Sequence, residues 1–387
     1  MLRNPPIPAT GPRPPGISAR AVVGLVLGAV LATMVCATAT ASPVASTPSQ
    51  RTSAATGQPL AADTSTSPHF GPAQTVMAWS RSVEDFSAIR IVIARPRGPV
   101  QELTHSEDGV QDIDPKFSPD GARILFERDM PDGSVQLVVI NVDGTGEQVL
   151  PLGCVDPCAA DLAPTWAPDG QHVYFTRVMG PFNENGDAAS ALLYRATLDG
   201  TELTRISEPG IDGVYEDYSA SFAPAGYMVF IRIGPGIKSA AFRRDHDGRT
   251  TQLTPYALDA DMLSVSPASS GPSKDLIVFE TYGHGGPDGV AQAVATVPAT
   301  CSSVEQCAPK VRYLTSPDSL PDQHFTPSWS PDGKQIAYVR FSYVDPGPVT
   351  GDIWRMQWNG KNQRPVSTSP RFEFRPAWAG KPARNGR

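Results

Sequence analysis

A short motif recurs along this chain at six places, and its spacing constrains the fold more than any other feature. Asp114-Pro115-Lys116-Phe117-Ser118-Pro119-Asp120-Gly121 is followed by Ile124-Leu125-Phe126. Pro164-Thr165-Trp166-Ala167-Pro168-Asp169-Gly170 is followed by Val173-Tyr174-Phe175, and Pro327-Ser328-Trp329-Ser330-Pro331-Asp332-Gly333 by Ile336-Ala337-Tyr338. Two copies are degenerate: Ser221-Phe222-Ala223-Pro224-Ala225-Gly226 before Met228-Val229-Phe230, and Val265-Ser266-Pro267 before Leu276-Ile277-Val278-Phe279. Pro376-Ala377-Trp378-Ala379-Gly380 is a last partial copy. The anchoring apolar residue falls at Phe117, Trp166, Phe222, Val265, Trp329 and Trp378, with spacings of 49, 56, 43, 64 and 49.

One unit reads as four short strands. Pro-Asp-Gly is a tight turn, because Pro presets φ, Asp caps locally and Gly takes the left-handed position. It joins a strand ending at the aromatic anchor to a nearly continuous apolar strand, as expected for a sheet covered on both faces. A third strand follows, such as Leu137-Val138-Val139-Ile140 or Ile353-Trp354-Arg355-Met356. Asp143-Gly144, Asp199-Gly200, Asp247-Gly248 and Asn359-Gly360 then predict type I′ hairpins, in which both central residues need positive φ. Fourth strands are expected to end at Leu150, Ile206, Leu253, Leu314 and Val366. A period near 50 with four strands per unit is the spacing of a β-propeller. Composition agrees: charged residues are only 18%, and the 387 residues include 34 Gly and 40 Pro. Such a chain is turn-rich rather than built of long charged helices.

Closure is also legible. The first folded segment offers Val76 to Trp79, Ile89 to Ala94 and Glu102 to Thr104, which read as second, third and fourth strands without a first. Arg375 to Trp378 is a first strand without followers. The expectation is an all-β, six-bladed propeller of four-stranded antiparallel blades over residues 75–380, its N- and C-terminal strands sharing one blade, with a tail at 381–387.

Residues 1–41 carry Arg3, Arg13 and Arg20, then an apolar run from Ala21 to Val35 and small residues through Ser42. This is the order of a secretory signal, cleaved after Ala39 or Ala41, with an uncleaved anchor over 21–41 as the rival reading. Cys36 follows Thr33-Met34-Val35, a poor lipidation site. Residues 42–74, rich in Ser, Thr, Pro and Ala, read as a disordered tether. Cys154 with Cys158 and Cys301 with Cys307 are expected as disulfides in an oxidising compartment, since neither pair has a nearby His that would favour zinc.

These motifs resemble the TolB-like six-bladed β-propeller family, a WD-type Pro-Asp-Gly repeat, with Pro327 to Tyr338 the best match. The resemblance spans about residues 75–380 and implies a fold; propellers host unrelated functions. The family's namesake is periplasmic, carries an α/β domain before its propeller and binds envelope partners. Here signal and tether are read ahead of the repeats, so that specific role is not carried over.

The formal charge is −7, and no cluster of cations stands out, which argues against nucleic acid as a partner. The segments leading into the first strands should surround the mouth of the central channel. They carry Asp112, Asp114, Asp161, Glu216, Asp217, Asp259, Asp261, Asp322, His324, Glu373 and Arg375. A carboxylate ring there would focus negative potential toward a cation or a basic segment of a partner; alternatively, each acid accepts hydrogen bonds from a neighbouring blade. His69, His105, His172, His246 and His284 do not converge with His324 in the repeat frame, so the His-bound metal of polysaccharide lyases among the relatives is not expected. The G-x-S-x-G elbow of propeller-gated peptidases, H-E-x-x-H and phosphate-binding loops are all missing from the sequence. Asn183 to Asp187 lacks the ligand spacing of a calcium loop. The expectation is an exported, non-catalytic, monomeric scaffold without cofactor or metal. It would bind an envelope protein, peptide or glycan at the channel mouth and touch the membrane only through an uncleaved N-terminus. The alternative is a carbohydrate-active or lactonase-type enzyme using mouth carboxylates, with Tyr215, Tyr218 and Tyr343 as sugar platforms.

Overall fold

The computed structural model describes residues 75–96, 98–180, 190–207, 216–234, 238–282, 292–315, 322–342 and 350–380. The readings made for 1–74, for 381–387 and for Asn183 to Asp187, Tyr215, His284 and Tyr343 lie outside the described residues. All described residues except Gly180 belong to one structural unit.

The Pro-Asp-Gly turns form because three local interactions coincide. In Ser118 to Gly121, Gly121 N donates to Ser118 O (2.8 Å), the Ser118 hydroxyl donates to Asp120 Oδ1 (2.6 Å), and Ala122 N donates to the same oxygen (3.0 Å). Gly121 takes φ +72, which a side chain would resist. The turn connects β4 (Gln111–Phe117) to β5 (Arg123–Asp129). Corresponding turns join β8 (Cys158–Trp166) to β9 (His172–Met179), β12 (Glu216–Phe222) to β13 (Met228–Ile233), and β20 (Asp322–Trp329) to β21 (Gln335–Ser342). The insertion after Val265 separates β16 (Ala260–Val265) from β17 (Leu276–Thr281).

The third and fourth strands complete antiparallel sheets: β6 (Val135–Asn141) with β7 (Gln148–Val149), β10 (Ser190–Thr197) with β11 (Leu203–Arg205), β14 (Ser239–Arg244) with β15 (Thr250–Gln252), β18 (Ala293–Pro298) with β19 (Arg312–Tyr313), and β22 (Thr350–Gln357) with β23 (Arg364–Pro365). The hairpins between third and fourth strands differ from the expected type I′. Gly144 N donates to Asn141 O, and Gly200, Gly248 and Gly360 repeat the bond, which places each glycine fourth in its turn. Gly144 has φ +86, whereas Asp143 keeps negative φ. The result is a type I turn followed by a left-handed glycine, the three-residue hairpin with a bulge. The expected fourth-strand ends Leu150, Ile206, Leu253, Leu314 and Val366 sit one residue past the ladder, but each amide still bonds to its third strand.

β1 (Met77–Ser82), β2 (Ile89–Ala94) and β3 (Val100–Glu102) pair in order, and β24 (Glu373–Trp378) pairs antiparallel with β1 through Met77↔Trp378, Ala78↔Ala377, Ser80↔Phe374 and Arg81↔Glu373. A single parallel pair, Ile89↔Gln111, links this sheet to the β4–β7 sheet. First strands touch in the order β4, β8, β12, β16, β20, β24, and β24 touches β4. Apolar residues fill the spaces between facing sheets, as with Leu125 and Val139 against Trp166 and Phe175. Two of the three anchoring tryptophans also donate across sheets, Trp166 Nε1 to Lys116 O (3.0 Å) and Trp329 Nε1 to Ser264 O (3.1 Å). Among the described residues helix is confined to α1 (Val304–Cys307) and two 3₁₀ turns, and no helix is long and apolar enough to cross a membrane. Cys154–Cys158 and Cys301–Cys307 are disulfides, as the cysteine pattern implied.

Candidate binding site in the central channel

Each first strand breaks its register at the same place. Asp114, Ala163, Ser219, Met262, Thr326 and Arg375 all take positive φ, between 42 and 55°, three residues before the anchoring apolar position. In all six the pairing with the second strand slips by one residue there, which defines a β-bulge. The bulges turn these residues toward a common space. A cavity of about 120 Å³ is lined by all six, together with Lys116 and the Pro, Ala or Leu that follows each of the other five. Non-glycine residues in the left-handed region are strained, and strain repeated at one site is a sign of functional or architectural demand.

Two residues before each bulge the predicted acids appear, and the structure gives most of them a partner within their own sheet. Arg128 donates from Nε and Nη2 to the two carboxylate oxygens of Asp112 (2.6 and 3.1 Å). Arg177 grips Asp161 in the same way (2.8 and 2.8 Å), and Arg232 grips Asp217 (2.6 and 2.8 Å). Arg81 donates to Glu373 at 2.6 Å, and Ser367 Oγ donates to its other oxygen. His324 occupies the equivalent position opposite Arg340, its ring edge-on to Tyr338. Ala260, opposite Thr281, replaces the acid in the β16 sheet. The arginines were not foreseen, although the sequence carries them as an aromatic-x-Arg pattern: Trp79 to Arg81, Phe126 to Arg128, Phe175 to Arg177, Phe230 to Arg232 and Tyr338 to Arg340. In the first four the guanidinium packs 5.3–6.0 Å from that aromatic ring. Burial nevertheless outweighs Arg177 and Arg232, so the Asp161 and Asp217 carboxyls stay above the ordinary range.

The remaining predicted residues divide. Asp259 lies at φ +50 after a 3₁₀ turn, accepts from Ser239 N and Oγ (both 3.0 Å) and pairs with Lys238 at 2.6 Å, apart from the channel-lining group. Glu216 is buried at the start of β12, and Asp322 opens β20, its side chain outside the described residues. Asp114, Asp261 and Arg375 do come together. Arg375 Nη1 stands 3.6 Å from Asp114 Oδ2, and Lys116 Nζ is 2.7 Å from Asp114 Oδ1. Burial disfavours charge on Asp114, but Lys116 and Arg375 prevail and hold its pKa below the usual value.

Three carboxyls on second strands join this group, and the sequence reading missed them. Glu127 is the register partner of Ile113 and accepts from Ala163 N of the next sheet (2.8 Å). Glu280 is the partner of Asp261 and accepts from Thr326 N of the next sheet (2.6 Å) and from the Tyr282 hydroxyl (3.1 Å). Burial pushes Glu127 up to about 8, helped by Asp129, and pushes Glu280 up to about 8, helped by Asp261. Burial likewise raises Asp129 and Asp261. Arg375 opposes the shift at all four. The channel end thus brings Asp114, Glu127, Asp129, Asp261 and Glu280 within the influence of Arg375, with Lys116 also on Asp114. Asp261 Oδ1 accepts from Met262 N (2.6 Å), and the Tyr218 hydroxyl beside the same carboxyl favours its charged form. Such a site can attract a cation, and it can hold protons at neutral pH. Among the described residues, the one cluster with metal-ligand spacing, Cys154, Cys158 and Asp161, has its thiols locked in the disulfide.

No family profile matches the sequence, and no curated protein matches it. Solved structures do. The chain is similar to TolB from Acinetobacter baumannii, with a TM-score of 0.59 and 19% identity over 80% of this chain and 68% of that one. It is similar to a structure described as a TolB from Agrobacterium tumefaciens, with a TM-score of 0.50 and 15% identity over 79% and 98% of the two chains. The likeness to an oligogalacturonate lyase of Vibrio parahaemolyticus is looser, at 0.44 and 15% identity over 76% and 74%. Together with the antiparallel four-stranded sheets and near absence of helix among the described residues, the two TolB likenesses show a TolB-like β-propeller fold.

Proposed function

We propose that the chain is an exported six-bladed β-propeller, closed by β24 on β1, that works as a binding scaffold at the cell envelope. Its channel mouth takes a cationic group of an envelope protein, peptide or glycan. One feature carries the reading: five buried carboxyls share the influence of Arg375 at the channel end, and burial pushes two of them, Glu127 and Glu280, up to about 8. An incoming ammonium or guanidinium would supply the missing positive charge, lower the pKa of Glu127 and Glu280, and release protons. The paired ring acids support a rigid frame for this site rather than free ligands. Closure is supported by the register of β24 on β1 and by the cyclic order of first-strand contacts. Export is supported by the two disulfides and by the signal-like composition of residues 1–41. A monomer is the simplest state for a ring whose outer sheet edges are strands of only two or three residues.

The test is calorimetric titration of the purified protein with an oligo-lysine peptide in buffers of different ionisation enthalpy. Binding accompanied by proton release, and its loss in Asp261→Asn/Glu280→Gln, support the reading. Absence of binding at low salt, or binding without proton release, would count against it.

A second reading is favoured by Asp261 and Glu280 specifically. They are cross-strand neighbours, both buried, with pKa values pushed to about 6 and about 8. Carboxyls held apart in pKa suit an acid and a base in glycoside or lactone hydrolysis. Turnover of a glycan or lactone panel, abolished by Glu280→Gln, would establish it.

A further inference from the structure

A second cavity, of about 640 Å³, shares no residue with the channel and lies where the insertion after β16 faces the outer strands β22 and β23. Arg355, on β22, lines it and is only 6% exposed. Its guanidinium donates Nη1 to Gln335 Oε1 at 2.6 Å, and its buried Nε has no hydrogen-bond partner. Among the described residues no carboxylate pairs with it. Arg364, its register partner on β23, is exposed, lines the same cavity and also has no ion pair among the described residues. The contrast with Arg81, Arg128, Arg177 and Arg232, each given its own carboxylate, is sharp. The acid in the cavity wall, Asp332, is already engaged: Oδ1 accepts from Ser330 Oγ (2.7 Å) and Lys334 N (3.1 Å), and Oδ2 lies 3.9 Å from Lys334 Nζ.

Arginine is rarely buried without a partner, because desolvating its charge is costly unless an anion replaces the water. Burial, and secondly Arg364, lower the Arg355 pKa, as expected of a cation lacking its counter-charge. Two guanidinium groups side by side present forked donors suited to an oxyanion. Trp358, half-buried in the same wall, adds a flat apolar face. The cavity's volume falls within the range of small-molecule sites, about 300–1,000 Å³.

We propose that this cavity binds a small organic anion, its carboxylate or phosphate head held by Arg355 and Arg364 and its flat apolar body against Trp358. The site is independent of the channel and of the reading given for it.

The test uses the intact protein with ¹⁵N-labelled arginine and follows the Arg355 Nε–Hε resonance. Benzoate, phenyl phosphate, inorganic phosphate and neutral benzyl alcohol are the probes, and the first two separate the carboxylate and phosphate sources. Saturable shifts with benzoate or phenyl phosphate, weakened about tenfold or more in the exposed-site variant Arg364→Gln, are expected. Benzyl alcohol should leave the resonance unmoved, and inorganic phosphate should bind more weakly than phenyl phosphate. No saturable shift with either aromatic anion up to about 10 mM would overturn the proposal, as would equal shifts from benzyl alcohol or unchanged affinity in Arg364→Gln. Equal affinity for inorganic and phenyl phosphate would overturn the part given to Trp358.

Discussion

Asp161 and Arg177 face each other across β8 and β9, and the guanidinium spans both carboxylate oxygens at 2.8 Å while its Nη2 also donates to Leu152 O at 2.9 Å. Both side chains are buried, at 4% and 7% exposure, so neither ion has water to fall back on. The same cross-strand pair recurs as Asp112–Arg128, Asp217–Arg232 and Glu373–Arg81, making it a repeated part of the fold.

Breaking one partner should therefore cost much more than removing both. Asp161→Asn leaves a buried guanidinium uncompensated and is expected to lower stability by about 3–5 kcal/mol, whereas Asp161→Leu with Arg177→Met should cost far less. Urea unfolding of the three proteins checks this. Equal losses in the single and double variants would mean that the pair carries net stability of its own.

Stability should fall as pH rises from the acid side toward neutrality. Glu127 and Glu280 have ordinary values of 4.5 and are pushed up to about 8 in the fold. The folded state binds more protons than the unfolded state across that window, so their contribution is fully present below 4.5 and lost as pH passes through 8. Asp129 and Asp114 reinforce the shift at Glu127, Asp261 reinforces it at Glu280, and Arg375 moderates both. Glu127→Gln and Glu280→Gln should flatten the slope of thermal midpoint against pH between about 5 and 8. An unchanged slope in the double variant would show that these carboxyls titrate normally.

The disulfides should matter modestly. Cys154 and Cys158 are 4 residues apart and Cys301 and Cys307 are 6 apart, so each closes a short loop worth about 2 kcal/mol of unfolded-state entropy. Differential scanning calorimetry with and without reductant should show a lower but still cooperative transition. Complete loss of folding on reduction would mean that these loops do more than staple.

The sequence announced the parts of this fold that local chemistry governs. Ser118-Pro119-Asp120-Gly121 encodes its turn through contacts within four residues, and the tryptophan anchors mark the ends of first strands. Turn type was misjudged because Asp-Gly fits two hairpins, and only the register of Asn141 with Gly144 separates them. The candidate site was half legible. Asp114, Asp261 and Arg375 were foreseen in the segments leading into the first strands, which in the structure extend back to include them, whereas Glu127 and Glu280 lie inside apolar second strands and meet the channel only through bulges in the neighbouring sheet. The arginines that neutralise the ring acids lie 15–16 residues further along in three repeats and 292 residues earlier in the fourth, so no local pattern connected them to their partners.

Everything built on the channel needs β1 and β24 to meet in one sheet. Native-state amide exchange reads this directly in the unmodified protein. Closure predicts that Ser82 N, bonded to Phe372 O, and Ala379 N, bonded to Val76 O, exchange as slowly as interior amides of β5 and β21. Fast exchange of Ala379 and the β24 amides, at the rate of a frayed terminus, would contradict it.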